Sequence, residues 1–392
     1  MIKFALRPNL IYPLQLILWS FIRSVERELI GQFYTSKFNL TYLPLMFFGE
    51  FIFGGGLFLY EYQYLKKKKE NNKGVIPINF MSIHLIDNSD NLMQARDNKF
   101  KIILLIMFNA FFDFVEFVLS VEILPKFLNT SDSLENRLNG ILILLQAIFY
   151  RYILSLPILR HQIFALIIIS ICLGLIIITE FIFQEINIFL PYVNFLMMFI
   201  ALFYIQLFNS LLDLVDKYLF EYDYMNPFLC LMSEGFFGLI YTTVYFVFKN
   251  PFPEMLEFYE KTDNNWVLTL LLVLYSFLCG GQNTFRVVTN KIYSPMAATL
   301  SQYFLNPIYI IISLVFGEDF FSNGKRNYFY FGINFILSIV ISLAGCVYNE
   351  FLILFFCKLQ YETHDQIVNR ALRVDDFTEM NVVDDDDDEE DS

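Results

Sequence analysis

The chain has 392 residues, of which 56% are hydrophobic, 19% aromatic and only 17% charged, against about 25% charged in an ordinary soluble domain. That balance excludes a soluble globule, because apolar runs of about twenty residues recur along the chain and each is long enough to cross a bilayer. Much of the net charge of −13 sits in one terminal run, DDDDDEEDS at 384–392, which can bury nothing and is expected to be a disordered, solubilising end.

In chain order the apolar runs predict about ten transmembrane helices, near 9–30, 41–63, 99–124, 138–158, 162–183, 188–212, 227–248, 265–285, 297–316 and 328–357. Lipid offers no partners to backbone polar groups, so helices are the form expected to span. The first run has a basic start, as a signal peptide has. It lacks the small-residue cleavage pattern, and charged RSVERE follows directly, so a retained first helix is expected.

The loop at 64–98 carries Lys66, Lys67, Lys68, Lys69, Lys73 and Arg96. This is the strongest basic cluster, which places the loop, and with it both termini, on the cytosolic side. Loops assigned to the opposite side are acidic, with Glu180 and Glu185 in one and Glu254, Glu257, Glu260 and Asp263 in another. The sequons at Asn39 and Asn129 fall on that opposite, luminal or extracellular side and are glycosylation candidates.

Two stretches half the membrane portion apart look alike. Val25-Glu26-Arg27-Glu28-Leu29 matches Val215-Asp216-Lys217-Tyr218-Leu219, and Gly49-Glu50-Phe51-Ile52-Phe53-Gly54 matches Ser233-Glu234-Gly235-Phe236-Phe237-Gly238. With five helices between them, the second copy enters the membrane upside down. This is the inverted repeat of many secondary transporters, whose site lies where the halves meet. The expected architecture is an all-α integral membrane protein: 1–185 as one five-helix repeat, 186–360 as a second, and 361–392 as an acidic cytosolic tail. The pairs Glu26/Arg27 and Asp216/Lys217 are expected at helix ends, where pairing and snorkelling lower the cost of charge. Glu50 and Glu234 lie deeper and should face the bundle interior, with adjacent glycines allowing close helix packing.

Further motifs are Asp216-Lys217-Tyr218, Asn226-Pro227-Phe228, Asn109-Ala110-Phe111-Phe112-Asp113 and Gly345-Cys346-Val347-Tyr348-Asn349. On these, and on Glu234-Gly235-Phe236-Phe237-Gly238, residues 10 to 360 resemble the drug/metabolite transporter superfamily. Within it they are most similar to the F subgroup of solute carrier family 35, the nucleotide-sugar-transporter-like carriers. The resemblance implies ten helices in two inverted five-helix halves. Four departures stand out. The subgroup's Pro-Ala-x-x-Asp has lost its proline at Asn109, and the terminal Gly…Tyr-Asn spacing is one residue short. Leu144-Leu145-Gln146 stands where relatives often carry Arg-Gly, and a clear nucleotide-sugar signature is missing.

An ionisable group inside lipid costs about 2.5–3.5 kcal/mol on insertion scales, so the few present are candidates for function. Asp113 and Glu116 share a helix face and would suit a proton or cation site; equally, one could sit at a helix end and the other pair with a base. Gln146, Gln206, Asn209, Gln282 and Asn283 could line a solute path or serve as interhelical glue. Arg286, beside Gly280-Gly281, offers either a base for an anionic or phosphate-bearing substrate or a positive-inside anchor. Asn306-Pro307 should break or kink the ninth helix, and Asn349-Glu350 is expected at the interface.

The five cysteines are scattered and read as small apolar packers. His84, His161 and His364 form no zinc pattern, and no GxSxG, P-loop or HExxH occurs. No enzyme activity, metal, cofactor or nucleic acid is therefore expected. The expected function is a secondary transporter moving a small polar or anionic metabolite, a nucleotide sugar or related solute, by alternating access. Its expected place is an endomembrane (Golgi, ER or vacuole/lysosome) rather than the plasma membrane. The alternative is a non-transporting scaffold or trafficking protein that keeps the fold and works through loop 64–98 and the acidic tail. Membrane lipid and a small-molecule substrate are the expected partners; a homodimer and a cytosolic partner of the tail stay open.

Overall fold

The computed structural model describes residues 2–4, 11–33, 40–71, 99–123, 140–154, 158–183, 192–223, 225–261, 265–305, 307–308 and 328–354. Asn39, Asn129, Asn306, most of loop 64–98 and the tail 361–392 lie outside the described residues. The helices are α1 (Ile11–Phe33), α2 (Tyr42–Asn71), α3 (Lys99–Val118, continuing as a π turn over Leu119–Ile123) and α4 (Gly140–Tyr152). They continue with α5 (Arg160–Phe183), α6 (Tyr192–Glu221), α7 (Pro227–Lys249), α8 (Phe252–Lys261), α9 (Asn265–Ile292), α10 (Pro295–Tyr303) and α11 (Tyr328–Tyr348). Two short strands, β1 (Ile2–Phe4) and β2 (Leu352–Leu354), pair antiparallel with Ile2 opposite Leu354.

Among the described residues, five helical stretches are long and apolar enough to cross a membrane: Tyr42–Tyr64, Arg160–Thr179, Phe199–Glu221, Pro227–Lys249 and Trp266–Ile292. Ile141–Tyr152 and Gly332–Tyr348 are shorter apolar helices. The outer surface matches this. On α5, Ile163, Ile167, Ile171, Leu175 and Ile178 are exposed at helical spacing, while Ala165, Ile169, Cys172 and Ile176 are buried on the other face. An exposed stripe of that kind needs lipid against it. The chain is a helical, multi-pass membrane protein.

Each predicted helix overlaps an observed one among the described residues, but several boundaries move. α6 runs to Glu221, well past 212, and α9 runs to Ile292, past 285. Asp213, Asp216 and Arg286 are largely buried against partners on other helices, so they interrupt nothing. The loop after α7 contains an unforeseen helix, α8, whose sequence FPEMLEFYEK mixes apolar and acidic positions. α7 itself has strong end signals. Asn226 Oδ1 accepts from the N–H groups of Phe228 (2.8 Å) and Leu229 (3.2 Å), and Pro227 takes the first turn. Asn250 closes the other end in the left-handed region, with φ 48°.

The bundle is organised around two crossings. α2 and α7 run antiparallel: Gly54 lies against Phe228 and Met232, Gly235 against Phe47 and Phe51, and Gly238 against the Phe47 ring. A Cβ on Gly54 would sit 2.5 Å from Met232 N, and one on Gly235 would sit 2.5 Å from Phe51 N. Only glycine permits this backbone-on-backbone contact, as the adjacent glycines suggested. On its other side α2 meets α9, where a Cβ on Gly280 would be 2.5 Å from Gly49 O. Around this centre α1 packs on α9, α3 on α6 and α7, α4 on α6, α5 on α11, and α10 on α1, α4 and α11.

Asp216 and Lys217 do not pair with each other as expected. Neighbouring positions on a helix diverge, so Lys217 meets Glu221 one turn on, at 2.6 Å, while Asp216 turns into the bundle. Glu350 lies just past the end of α11 and is buried, with Oε1 3.4 Å from His161 Nε2 and a left-handed φ of 60°.

Candidate functional site

Four helices converge on a buried polar cluster, and each supplies residues at helical spacing. α3 presents Asn109, Asp113 and Glu116; α6 presents Asn209, Asp213 and Asp216; α7 presents Cys230 and Glu234; α9 presents Asn283, Arg286 and Asn290. Such i, i+3, i+4 and i+7 sets share one face of a helix. Apolar neighbours seal that face: Ile106, Leu219, Phe220, Cys230, Leu231 and Val287 are buried together beside it.

Arg286 is the hub. Its Nη1 lies 3.3 Å from Asp213 Oδ1 and 3.8 Å from Asp216 Oδ2, and its Nη2 lies 3.8 Å from Glu234 Oε2. The arginine side chain is 12% exposed, and those of Asp216 and Glu234 are fully buried. Amides tie the carboxylates together. Asn109 Nδ2 donates to Asp216 Oδ1 at 2.8 Å and also to Glu234 Oε1. Asn290 Nδ2 donates to Asp213 Oδ1 at 3.1 Å and Asp216 Oδ2 at 3.5 Å. Gln146 Nε2, from α4, donates to Asp213 Oδ2 at 2.6 Å and to Thr299 Oγ1, on α10, at 3.1 Å. Burying charges is tolerable only with this degree of pairing.

A second group adjoins it along α9. Asn283 Nδ2 donates to the fully buried Glu50 of α2. Gln282 Oε1 accepts from Arg23 Nη1 of α1 at 2.8 Å, and Arg23 Nη2 donates to Tyr275 OH at 3.1 Å. Glu26 is buried one turn further along α1; the Arg27 side chain lies outside the described residues. Asn209 Nδ2 donates to Glu116 Oε1 at 3.2 Å, and Gln206 is buried a turn before it. Asp113 is half-buried on α3. Pro307 is helical.

Most residues singled out from the sequence thus meet in one region, including Glu50, Gln146, Glu234, Gln282, Asn283 and Arg286. Sequence reasoning missed Asp213, Asn290, Arg23 and Thr299 as members, and quoted Asn109 only as part of a motif. Asp213 and Asn290 fell beyond the predicted ends of their helices. Extending each helix by its apolar spacing, through Leu214 and Leu219 or Val287 and Val288, would have recovered them.

Asp216, Cys230 and Glu234 each offer one metal-ligating atom, all within 4.8 Å of one another. Other groups already serve those oxygens: Asn109 and Arg286 approach both acids, and Cys230 Sγ lies 3.4 Å from Glu234 Oε1 as a thiol donor. A guanidinium occupies the place of positive charge, so the trio is a hydrogen-bonded cluster and not a convincing metal seat. No family model matches the chain, and no curated protein is significantly similar to it.

Proposed function

We propose that the chain is a secondary transporter of the drug/metabolite type, with ten crossings in two inverted five-helix halves. It moves a small polar solute through the buried cluster by alternating access. The observation that carries this reading is a pair of matched hydrogen bonds. Asn283 of α9 donates to Glu50 of α2, and Asn109 of α3 donates to Glu234 of α7. Glu50 and Glu234 are the equivalent glutamates of the sequence repeat, and both amides stand in Asn-x-Phe, at Asn109 to Phe111 and Asn283 to Phe285.

The helix contacts support the same relation. Exchange α1 to α5 with α6, α7, α9, α10 and α11 in order. Packing of α1 on α9 then becomes α6 on α3, α2 on α9 becomes α7 on α3, and α4 on α6 becomes α10 on α1. The contacts α2 with α7 and α5 with α11 return themselves, and every one of these contacts is present. The antiparallel crossing centred on Phe51 and Gly235, equivalent positions of the repeat, fits a two-fold axis lying in the membrane plane. Pairing of residues 2–4 with 352–354 brings both ends of the bundle together, which favours an even number of crossings. The basic loop supports a cytosolic side for those ends, and an endomembrane is the proposed location.

The test is counterflow in proteoliposomes preloaded with nucleotide sugars, nucleotides, amino acids or amines, with Glu234→Gln beside the wild type. The expected result is accumulation of one class, lost in the variant. Folded protein that accumulates none of them would overturn transport in favour of the scaffold alternative.

A further inference from the structure

The short helix α8 lies between the end of one membrane crossing, at Lys249, and the start of the next, at Asn265. Its sequence, FPEMLEFYEK, divides into two arcs. At about 3.6 residues per turn, Phe252, Met255, Leu256 and Tyr259 fall on one arc and Glu254, Glu257 and Glu260 on the other. The first arc is apolar and the second is glutamate throughout, so α8 is amphipathic by register.

The bundle takes only one edge of the apolar arc. Met255 packs against the cluster that holds Phe47 and Phe246, and the Phe252 ring meets Phe246 edge-on at 5.7 Å. Tyr259 OH lies 3.0 Å from Thr269 Oγ1 of α9. These contacts pin α8 to α7 and α9 in one orientation. It leaves Phe252 57% and Leu256 60% exposed, side by side one turn apart. The two crossings show what covers this edge. Val247 and Phe248 are exposed in the last turn of α7, and Trp266 and Leu270 in the first turns of α9. A tryptophan at the mouth of a crossing marks the headgroup level. A protein partner reaching the α8 edge would therefore have to enter the bilayer beside these residues.

We infer that α8 is a membrane-surface helix, lying along the headgroup layer with Phe252 and Leu256 in the boundary between headgroups and acyl chains. Its glutamate arc faces water. The leaflet is the one opposite the end of α2, because α2 and α7 run antiparallel and α8 follows the far end of α7. Such a helix binds through its buried apolar area, modulated by charge. Glu254, Glu257 and Glu260 outweigh Lys261, so α8 fits a zwitterionic headgroup such as phosphatidylcholine better than an anionic one. This holds whether or not the chain transports a solute.

The photoreactive residue benzoylphenylalanine is to replace Phe252, Leu256 or Glu257, one at a time, in the full-length protein in phosphatidylcholine liposomes. Illumination followed by mass spectrometry reads what each position touches. The expected result is a mass gain of one phospholipid at 252 and at 256, and at least tenfold less at 257. No lipid adduct at 252 and 256 overturns the proposal. An adduct at only one of them overturns it too, since the helix would then stand end-on to the membrane. Equal adducts at all three positions would mean an immersed helix, and cross-linked chain pairs would assign the edge to a second copy; either result also overturns it. If the Phe252 variant does not fold, the contrast between 256 and 257 decides. In liposomes mixing phosphatidylcholine with phosphatidylserine, phosphatidylcholine adducts should predominate at 256. Phosphatidylserine adducts equal to or above them overturn the headgroup assignment.

Discussion

Arg286 Nη1 stands 3.3 Å from Asp213 Oδ1, and both side chains are about nine-tenths buried. The two residues come from α9 and α6, so this contact ties together helices assigned to one half while Asn109 brings in the other. Removing one member of a buried pair strands the other, at a cost of about 3–5 kcal/mol. Arg286→Ala should therefore lower the melting temperature in detergent sharply. Asp213→Asn on top of it should recover part of the loss, because the stranded acid is then neutral. Thermal unfolding of the two single variants and the double variant measures the coupling; strict additivity would show that the pair is not coupled.

The crossing of α2 and α7 predicts a different pattern. Gly235→Ala forces a Cβ against Phe51 N and should cost about 1–3 kcal/mol through overpacking. Gly56→Ala, on α2 with open space around it, should be neutral or stabilising by up to about 1 kcal/mol, from helix propensity. Melting curves of both variants test this, and equal effects would remove the packing argument.

Asn226 is the cap of α7 and also donates to Glu61 of α2. Asn226→Ala should cost about 0.5–2 kcal/mol from the cap alone. Asn226→Ser should restore most of the cap without the long reach to Glu61, so the difference between them isolates the interhelical bond. Melting temperatures of the two variants supply that difference.

Cys230 is fully buried between Asp216 and Glu234. In a variant with its other cysteines replaced by serine, a membrane-impermeant maleimide should label it at least tenfold more slowly than the same protein in denaturant. Mass spectrometry of the labelled protein reads the rate. Rapid labelling of the folded protein would place the cluster in open contact with water.

The fold was legible wherever length and apolarity alone decide the outcome. Each long run became a helix, and Gly54 and Gly235 marked where two of them touch. The charged positions were harder. Asp213, Asp216 and Lys217 resemble the end of a membrane helix, because a charge in lipid usually marks the interface. The partners of the two acids lie on other helices, and no local pattern names Arg286 or Asn290 as those partners. The contact of Glu350 with His161 was hidden for the same reason, since the two are remote in sequence.

Glu50 and Glu234 each sit one residue from the place where α2 and α7 touch through bare main chain. Their separation is therefore fixed by peptide groups and not by interlocking side chains. The surrounding amides and acids can be exchanged without moving either glutamate. The crossing acts as a ruler independent of the chemistry it holds, so the specificity of this interior can drift while its geometry stays constant.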